Sequence, residues 1–196
     1  AFCFETLTIT PDDLARARQY AENQKRSELA AQVTDIGEFL KSLDMRGILA
    51  SYNAQDLQRI AQLINKSNQF NLCTRRYTQE ELEAIMANPA CITLSVRLQD
   101  RFGDNGLISA IHGTIRDACL HLETWVMSCR VLDRTVEQIA LNHLAQKASQ
   151  QGCRAIAGRY LPTSKNELVR EHYSRLRFAS IETAPDGATS WRLDLT

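Results

Sequence analysis

Leu120-His-Leu-Glu-Thr-Trp-Val-Met-Ser-Cys-Arg-Val-Leu132 is apolar-rich and reads as one long strand around Trp125. Asp133-Arg-Thr135 breaks that run. Val136, Ile139, Ala140, His143 and Leu144 then recur on one helical face to about Gln150, where Gly152 closes the helix. Ala155 to Tyr160 returns to strand. Strand, helix and strand in direct succession are the repeating material of an α/β sheet.

The elements on either side extend the same pattern. Downstream, Ser164 to Arg175 reads as a helix, and Phe178–Thr183 and Thr189–Leu195 pair across Pro185-Asp-Gly187. Upstream, Gly47 to Asn53 fits a short strand, and Ala54 to Lys66 carries Leu57, Ile60, Ala61 and Ile64 at helical spacing. Thr78-x-x-Glu81 is a capping box for a helix through Met86 that stops before Pro89. Ile92–Arg97 and Leu107–His112 alternate as a hairpin, with Asp100-Arg-Phe-Gly-Asp-Asn-Gly106 as the turn. From Gly47 the order is βααβββαβαββ, an α/β fold with a mixed sheet flanked by helices on both faces. Before it, Thr10-Pro11-Asp12-Asp13 starts a helix running to about Gln32, and Thr34–Leu43 is a second. Residues 1–46 are therefore expected to be an N-terminal helical extension, and residues 47–196 the main domain.

Composition narrows the function classes. The chain has 196 residues, 44% hydrophobic and 23% charged, ordinary for a globular protein. Its 23 basic and 23 acidic side chains cancel, which argues against a nucleic-acid partner or a membrane-surface domain, since both need clustered cations. No apolar run approaches the ~20 residues of a membrane span, and Ala1 opens no signal peptide, so a cytoplasmic location is expected. The missing initiator Met leads us to expect that a neighbouring domain precedes this piece. The cysteines at 3, 73, 91, 119, 129 and 153 form no C-x-x-C pair, and the four histidines show no ligand spacing beside them. No metal site is expected, and the cysteines read as reduced, small and mostly buried.

Arg130-Val-Leu-Asp-Arg-Thr135 and Asn166-Glu-Leu-Val-Arg-Glu-His-Tyr173-Ser-Arg-Leu-Arg-Phe178, in this element order, resemble a GNAT acyltransferase. In that fold an Arg/Gln-x-x-Gly-x-Gly loop cradles the acyl-CoA pyrophosphate. The resemblance thus implies cofactor contacts from Arg130, Val131, Asp133, Arg134, Thr135 and Asn166. Gln62-Leu-Ile-Asn-Lys-Ser-Asn-Gln-Phe-Asn71, Thr74-Arg-Arg-Tyr77, Asp100–Gly106 and Ser128-Cys-Arg-Val131 further resemble the C-terminal half of FkbH-like proteins, which pair a haloacid-dehalogenase-type phosphatase domain with a GNAT-like domain. Phe4–Thr10 resembles the seam that follows that phosphatase domain. The implied activity moves a glyceryl-type acyl group onto the phosphopantetheine thiol of an acyl-carrier protein in polyketide biosynthesis. The implied partners are that carrier and the phosphatase domain, with no tightly bound cofactor. The rivals are a CoA-dependent acyltransferase acting on an amine or hydroxyl, and a non-catalytic docking domain for a phosphatase partner.

This chain departs from the family pattern in carrying Asp133, Thr135 and Arg177 where glycines are usual. Glycine lets backbone approach a phosphate and adopt positive φ. A carboxylate at ~4 Å from phosphate costs roughly 1 kcal/mol in water and ~4 at an effective dielectric of 20. Weak CoA binding is therefore expected, while a carrier arm, with one phosphate, asks less of the loop.

Each candidate side chain has an alternative reading. Cys129, ending the strand beside Arg130, is an acyl relay or a buried small residue. By resemblance Tyr173 protonates the leaving thiolate; otherwise it is a core tyrosine on a helix face. His172, about 100° round that helix, is expected at the surface. Glu123 is a base acting through water or an ion-paired strand residue. Asn65 and Asn68, with Lys66 and Gln69, form a lip that hydrogen-bonds a hydroxyacyl group, or merely cap a helix. Arg75 and Arg76 meet phosphate or a carrier's acidic helix, or are solvated surface.

Overall fold

Thr78 Oγ1 accepts a hydrogen bond from the Glu81 amide (3.2 Å), and the Glu81 carboxylate accepts one from the Thr78 amide (2.8 Å). This reciprocal cap starts helix α4, Gln79–Ala87, where the spacing predicts it. In the computed structural model, residues 11–33, 35–132 and 134–195 are described. The order is α1 Pro11–Gln32, α2 Ile36–Ser42, β1 Arg46–Ala50, α3 Leu57–Lys66, α4, β2 Cys91–Asp100, β3 Gly103–Arg116, β4 Cys119–Met127, α5 Val136–Gln150, β5 Ala155–Tyr160, α6 His172–Arg175, β6 Ala179–Thr183 and β7 Thr189–Asp194. The strands form one seven-stranded mixed sheet in the order β1-β2-β3-β4-β5-β7-β6.

The expected α/β architecture is present, with four local corrections. The long strand stops at Met127, not Leu132, because the Ser128 amide turns to the Ile108 carbonyl (2.8 Å) and Cys129–Val131 coils into a 3-10 turn. The helix expected over Ser164–Arg175 is a 3-10 turn, Glu167–Val169, followed by the single turn α6. Asn166 blocks its start: its side chain accepts from the Thr163 amide (2.7 Å) and donates to the Leu161 and Asn71 carbonyls (2.9 Å each), fixing a loop instead. The β2–β3 turn lies at Arg101-Phe102, and Asp104–Gly106 belongs to β3. Asp100 moves the turn forward, since its carboxylate takes the amides of Phe102 (3.0 Å) and Gly103 (3.2 Å). Helix α2 begins after Asp35, whose side chain caps the Glu38 amide (2.8 Å); the expected start at Thr34 lies outside the described residues, as do Cys3 and Phe4–Thr10.

The chain divides into two compact units. One holds the residues up to Arg46 with Leu98–Asn105, the other Gly47–Arg97 with the residues from Gly106 onward. In the first, Arg26, 5% exposed, grips Asp100 with Nε (2.7 Å) and Nη2 (2.8 Å) while Nη1 donates to Asn23 (2.9 Å). Burial alone would raise the Asp100 pKa, but the hydrogen bonds from Arg26 and Asn105 hold it below the ordinary carboxylate value. Arg26→Ala would strand a buried carboxylate, at a cost of about 3–5 kcal/mol to this unit in chemical denaturation. Since the Asp100 pKa is depressed, the pair's contribution is full above the ordinary carboxylate range and falls away as pH drops through it. The variant should lack that acid step.

In the second unit, Leu57, Ile60 and Ile64 of α3, Leu82 of α4, and Tyr52 and Tyr77 cover one side of β3 and β4 through Leu107, Ala110 and Val126. Trp125, next to Val126 on β4, points to the opposite side. There it meets His172 (ring centroids 4.5 Å), which contacts Tyr173 (5.5 Å), which in turn packs on Phe178 (5.0 Å).

Candidate functional site

β4 and β5 run parallel and pair only from Cys119↔Ala155 to His121↔Ala157. Past that point they share no pairing, and the chain's own segment Phe70–Cys73 lies between them. The Leu72 amide donates to the Trp125 carbonyl (3.3 Å), and the Met127 amide to that of Phe70 (3.2 Å). On the other side the Leu161 amide donates to Leu72 O (2.8 Å), and the Cys73 thiol to Arg159 O (3.4 Å). The fully buried Asn166 holds Asn71 O from below.

On its opposite edge β4 carries a bulge. His112 pairs with Thr124 and Gly113 with Leu122, leaving Glu123 as the extra residue. Gly113 is required there, because a Cβ would collide with the His121 carbonyl. The half-buried Glu123 accepts a hydrogen bond from Thr114 Oγ1 (3.0 Å) and lies 4.0 Å from Arg116. Burial pushes the nearby Cys73 thiol up to about 11, with Glu123 adding to the rise and Arg159 opposing it. Cys73 is therefore a protonated thiol at neutral pH. Tyr77, in turn, accepts a hydrogen bond from Thr124 Oγ1 (3.2 Å).

At the end of the cleft, the first turn of α5 opens on a cavity of about 320 Å³ lined in part by Thr135, Gln138, His172, Arg175 and Phe70. Thr135 sits in the left-handed region (φ 59), where glycine is the usual residue. It supplies no side-chain cap to α5, its hydroxyl donating to Arg134 O (2.7 Å) instead. A helix's first turn carries backbone amides and the positive end of the dipole, the arrangement that binds phosphate. Glu137 in the same turn opposes that field. Arg177 is also left-handed (φ 64), so two of the missing glycines leave their backbone shape behind. Asp133 lies outside the described residues.

The remaining candidates divide clearly. Arg134 is buried and donates to Arg130 O (3.0 Å), while Arg130 Nε donates to Ser128 (3.2 Å); both hold the loop's shape. Val131 is a core residue, with no side-chain face toward the cavity. Cys129 is exposed, not buried, and with Asn68, Lys66, Lys165 and Ser128 lines a second cavity of about 610 Å³. Asn65 spends its amide on the Tyr77 backbone (2.7 and 3.1 Å). Arg75 stacks on Tyr77 (4.6 Å) and lies 3.6 Å from Glu81; Arg76 donates to Asn68 (2.8 Å). Tyr173 is fully buried, and burial raises its pKa well above the ordinary phenol value.

His172 corrects an expectation. It is 7% exposed rather than a surface residue, because α6 is a single turn whose neighbours Phe70 and Trp125 close over the ring. Among the described residues its Nε2 has no hydrogen-bond partner, and burial lowers its pKa to about 3. Sequence reasoning also missed Phe70, Cys73 and Arg175 as site residues. The pairing of Phe70–Cys73 with strands some 50 and 90 positions away leaves no local signal. Among the described residues no cluster suited to a metal ion occurs, and no helix is long and apolar enough to cross a membrane.

No protein-family model matches the sequence, and no curated protein does. Solved structures match well. A spermidine N-acetyltransferase from Vibrio cholerae, in complex with CoA and spermine, is 12% identical, with a TM-score of 0.59 over 76% of this chain and 95% of that one. An acetyltransferase of the GNAT family from Staphylococcus aureus is 12% identical (TM-score 0.58; 77% and 100% of the two chains). The GNAT domain of S. lividans PAT is 14% identical (TM-score 0.58; 75% and 89%). At these identities the likeness is one of fold, and the chain has the GNAT acetyltransferase fold.

Proposed function

We propose that the protein is an acyltransferase that holds a phosphopantetheine arm with its phosphate at the α5 N-terminus, and that the arm belongs to an acyl-carrier protein receiving a glyceryl-type acyl group. The first turn of α5, to which Thr135 gives no side-chain cap and which opens on a cavity beside this left-handed residue, carries the reading. These residues suit a single phosphate: the first amides of α5 donate, Arg175 adds a cation on the wall, and Glu137 disfavours a second phosphate group. The four strings resembling FkbH-like proteins support the carrier over free CoA, and they support a phosphatase partner beyond the N-terminal extension.

The bound arm supplies a thiol and, once loaded, a thioester. Of the chain's own groups, Cys129 is the exposed thiol at the cavity on the far side of Phe70. Its thiol attacks the carbonyl of an activated acyl donor, a thioester or acyl phosphate; the new C–S bond replaces the donor's own, and the Cys129 proton goes to the expelled thiol or phosphate. The carrier thiol then displaces Cys129, which recovers its proton, so bonds and charges balance. Glu123, held at the bulge by Thr114, lies six residues back along β4 from Cys129, roughly 20 Å at ~3.3 Å per residue, and takes no part in this transfer. Mass spectrometry of the intact protein with an acyl donor should show an adduct that Cys129→Ala loses and Cys91→Ala keeps; equal behaviour of the two removes Cys129 from the reaction.

Arg75 and Arg76 are exposed, Arg76 donating to Asn68 on this cavity's rim, and the pair suits an acidic helix. Rim charges act mainly on association rate and are screened beyond ~10 Å at 0.1 M salt. Arg75→Glu with Arg76→Glu should slow carrier association and flatten its salt dependence in stopped-flow. Each should change folding stability by under ~1 kcal/mol. Normal association by the double variant would place docking elsewhere.

One observation favours a second reading, a non-catalytic docking domain: Phe70–Cys73 fills the space between β4 and β5. Absence of any acyl adduct together with tight carrier binding would select it.

A further inference from the structure

We propose that Phe70–Cys73 is an intramolecular competitor for the ligand arm, a built-in strand that occupies the β4–β5 cleft and must withdraw before an arm can pass through. This rests on the reading that a phosphopantetheine arm starts at the α5 N-terminus.

The geometry is that of a ligand bound by strand addition. Where β4 and β5 stop pairing, the β4 edge exposes backbone groups that water or a strand must satisfy. Trp125 O and Met127 N–H are such groups, and Phe70–Leu72 takes both, with Asn71 forming an antiparallel bridge to Val126. Leu72 O takes the Leu161 amide on the β5 side. An extended chain bearing amides, such as a pantetheine arm, would use the same donors and acceptors.

Phe70 shows what the segment blocks. It lines the cavity at the α5 N-terminus and also the cavity holding Cys129, and its ring rests edge-on against His172 (5.0 Å). It is a shared wall between the two. An arm anchored at α5 and running between β4 and β5 towards Cys129 meets that wall.

The restraints on the segment are three backbone hydrogen bonds, the Asn166 contact to Asn71 O, the Asn71 side chain on Ser67 O and the Thr74 amide, and the Cys73 thiol on Arg159 O. Phe70, Asn71 and Leu72 are buried, so withdrawal must also expose their side chains. The segment's ladder is nonetheless far shorter than the eight paired positions of β3–β4 beside it, and a short ladder opens as its own unit.

Hydrogen exchange followed by NMR on the wild-type chain tests this without ligand. The amides of Leu72, Met127 and Leu161 should exchange together, at least ~100-fold faster than those of the β3–β4 ladder around Ala110 and Val126. Exchange of the three only at the ladder rate would overturn the proposal. With saturating phosphopantetheine, Leu72 should lose protection while Met127 and Leu161 keep theirs, having changed partner. Binding with all three still protected would also overturn it. Phe70→Ala should tighten phosphopantetheine binding about tenfold, and unchanged affinity in a folded variant counts against the proposal; if it fails to fold, the wild-type exchange decides. Failure of wild type and variant alike to bind phosphopantetheine would sink the functional reading, while the ligand-free exchange would still decide the competitor.

Discussion

His172→Phe should raise stability at pH 4 by on the order of 3 kcal/mol while changing it by less than about 1 kcal/mol at pH 7. The wild-type ring is buried among Phe70, Trp125 and Tyr173, its Nε2 lacks a partner among the described residues, and burial holds its pKa near 3 against an ordinary 6.5. The sign follows from linkage. Between pH 6.5 and 3 the unfolded chain takes up a proton that the folded chain refuses, so stability is full above pH 6.5 and is lost on acidification. Phenylalanine has the same shape and no proton to bind. His112 contributes a parallel loss, since burial lowers its pKa to about 4, but the Tyr52 hydroxyl lies 3.3 Å from its Nδ1, so replacing it would orphan a buried group. Urea denaturation of His172→Phe and wild type at pH 7, 5 and 4 measures the effect. Equal acid sensitivity of His172→Phe and wild type would show that the ring is not held neutral.

Gly113→Ala should cost about 3 kcal/mol or more. The added Cβ meets the His121 carbonyl and Leu122 Cα, backbone atoms that cannot rotate away. Relief requires β3 and β4 to part at the bulge, which would release Glu123 from Thr114. A chemical melt within about 0.5 kcal/mol of wild type would mean that the two backbones are not in close approach there. Gly158→Ala is the milder relative, since it collides with the buried Tyr173 ring and not with backbone.

The elements most legible in the sequence were those whose ends are written locally. Thr78 and Glu81 cap α4, Val136, Ala140 and Leu144 bury one face of α5 as their spacing suggests while Ile139, read on the same face, is 55% exposed, and β5 runs from Ala155 to Tyr160 as its composition suggests. The misread segments are governed by distant partners. Asn166 reads as a helix residue, yet its side chain is committed to the Asn71 carbonyl on a segment far away in sequence. His172 reads as exposed because a long helix would turn it outward; a single turn under Phe70 does not. The bulge that singles out Glu123 arises from the match of β3 to β4, which alternation along β4 alone cannot reveal. Thr135 and Arg177 are the opposite case: the absent glycines suggested a lost loop shape, yet the backbone keeps positive φ at both. Side chains held there cost on the order of 1–3 kcal/mol each, a strain consistent with a shape retained for a ligand.

The most direct test of the account is an NMR titration of the wild-type chain with phosphopantetheine, pantetheine and acetyl-CoA. Phosphopantetheine should shift the amides of Val136, Glu137 and Gln138 at the start of α5, and pantetheine without its phosphate should leave them in place. Acetyl-CoA should bind with a Kd above ~100 µM, about −5.5 kcal/mol or weaker, because its second phosphate meets Glu137 and its arm meets Phe70. Shifts that are identical with and without the phosphate, or absent from α5 at millimolar ligand, would contradict a phosphate site at that helix and with it the proposed acyl transfer.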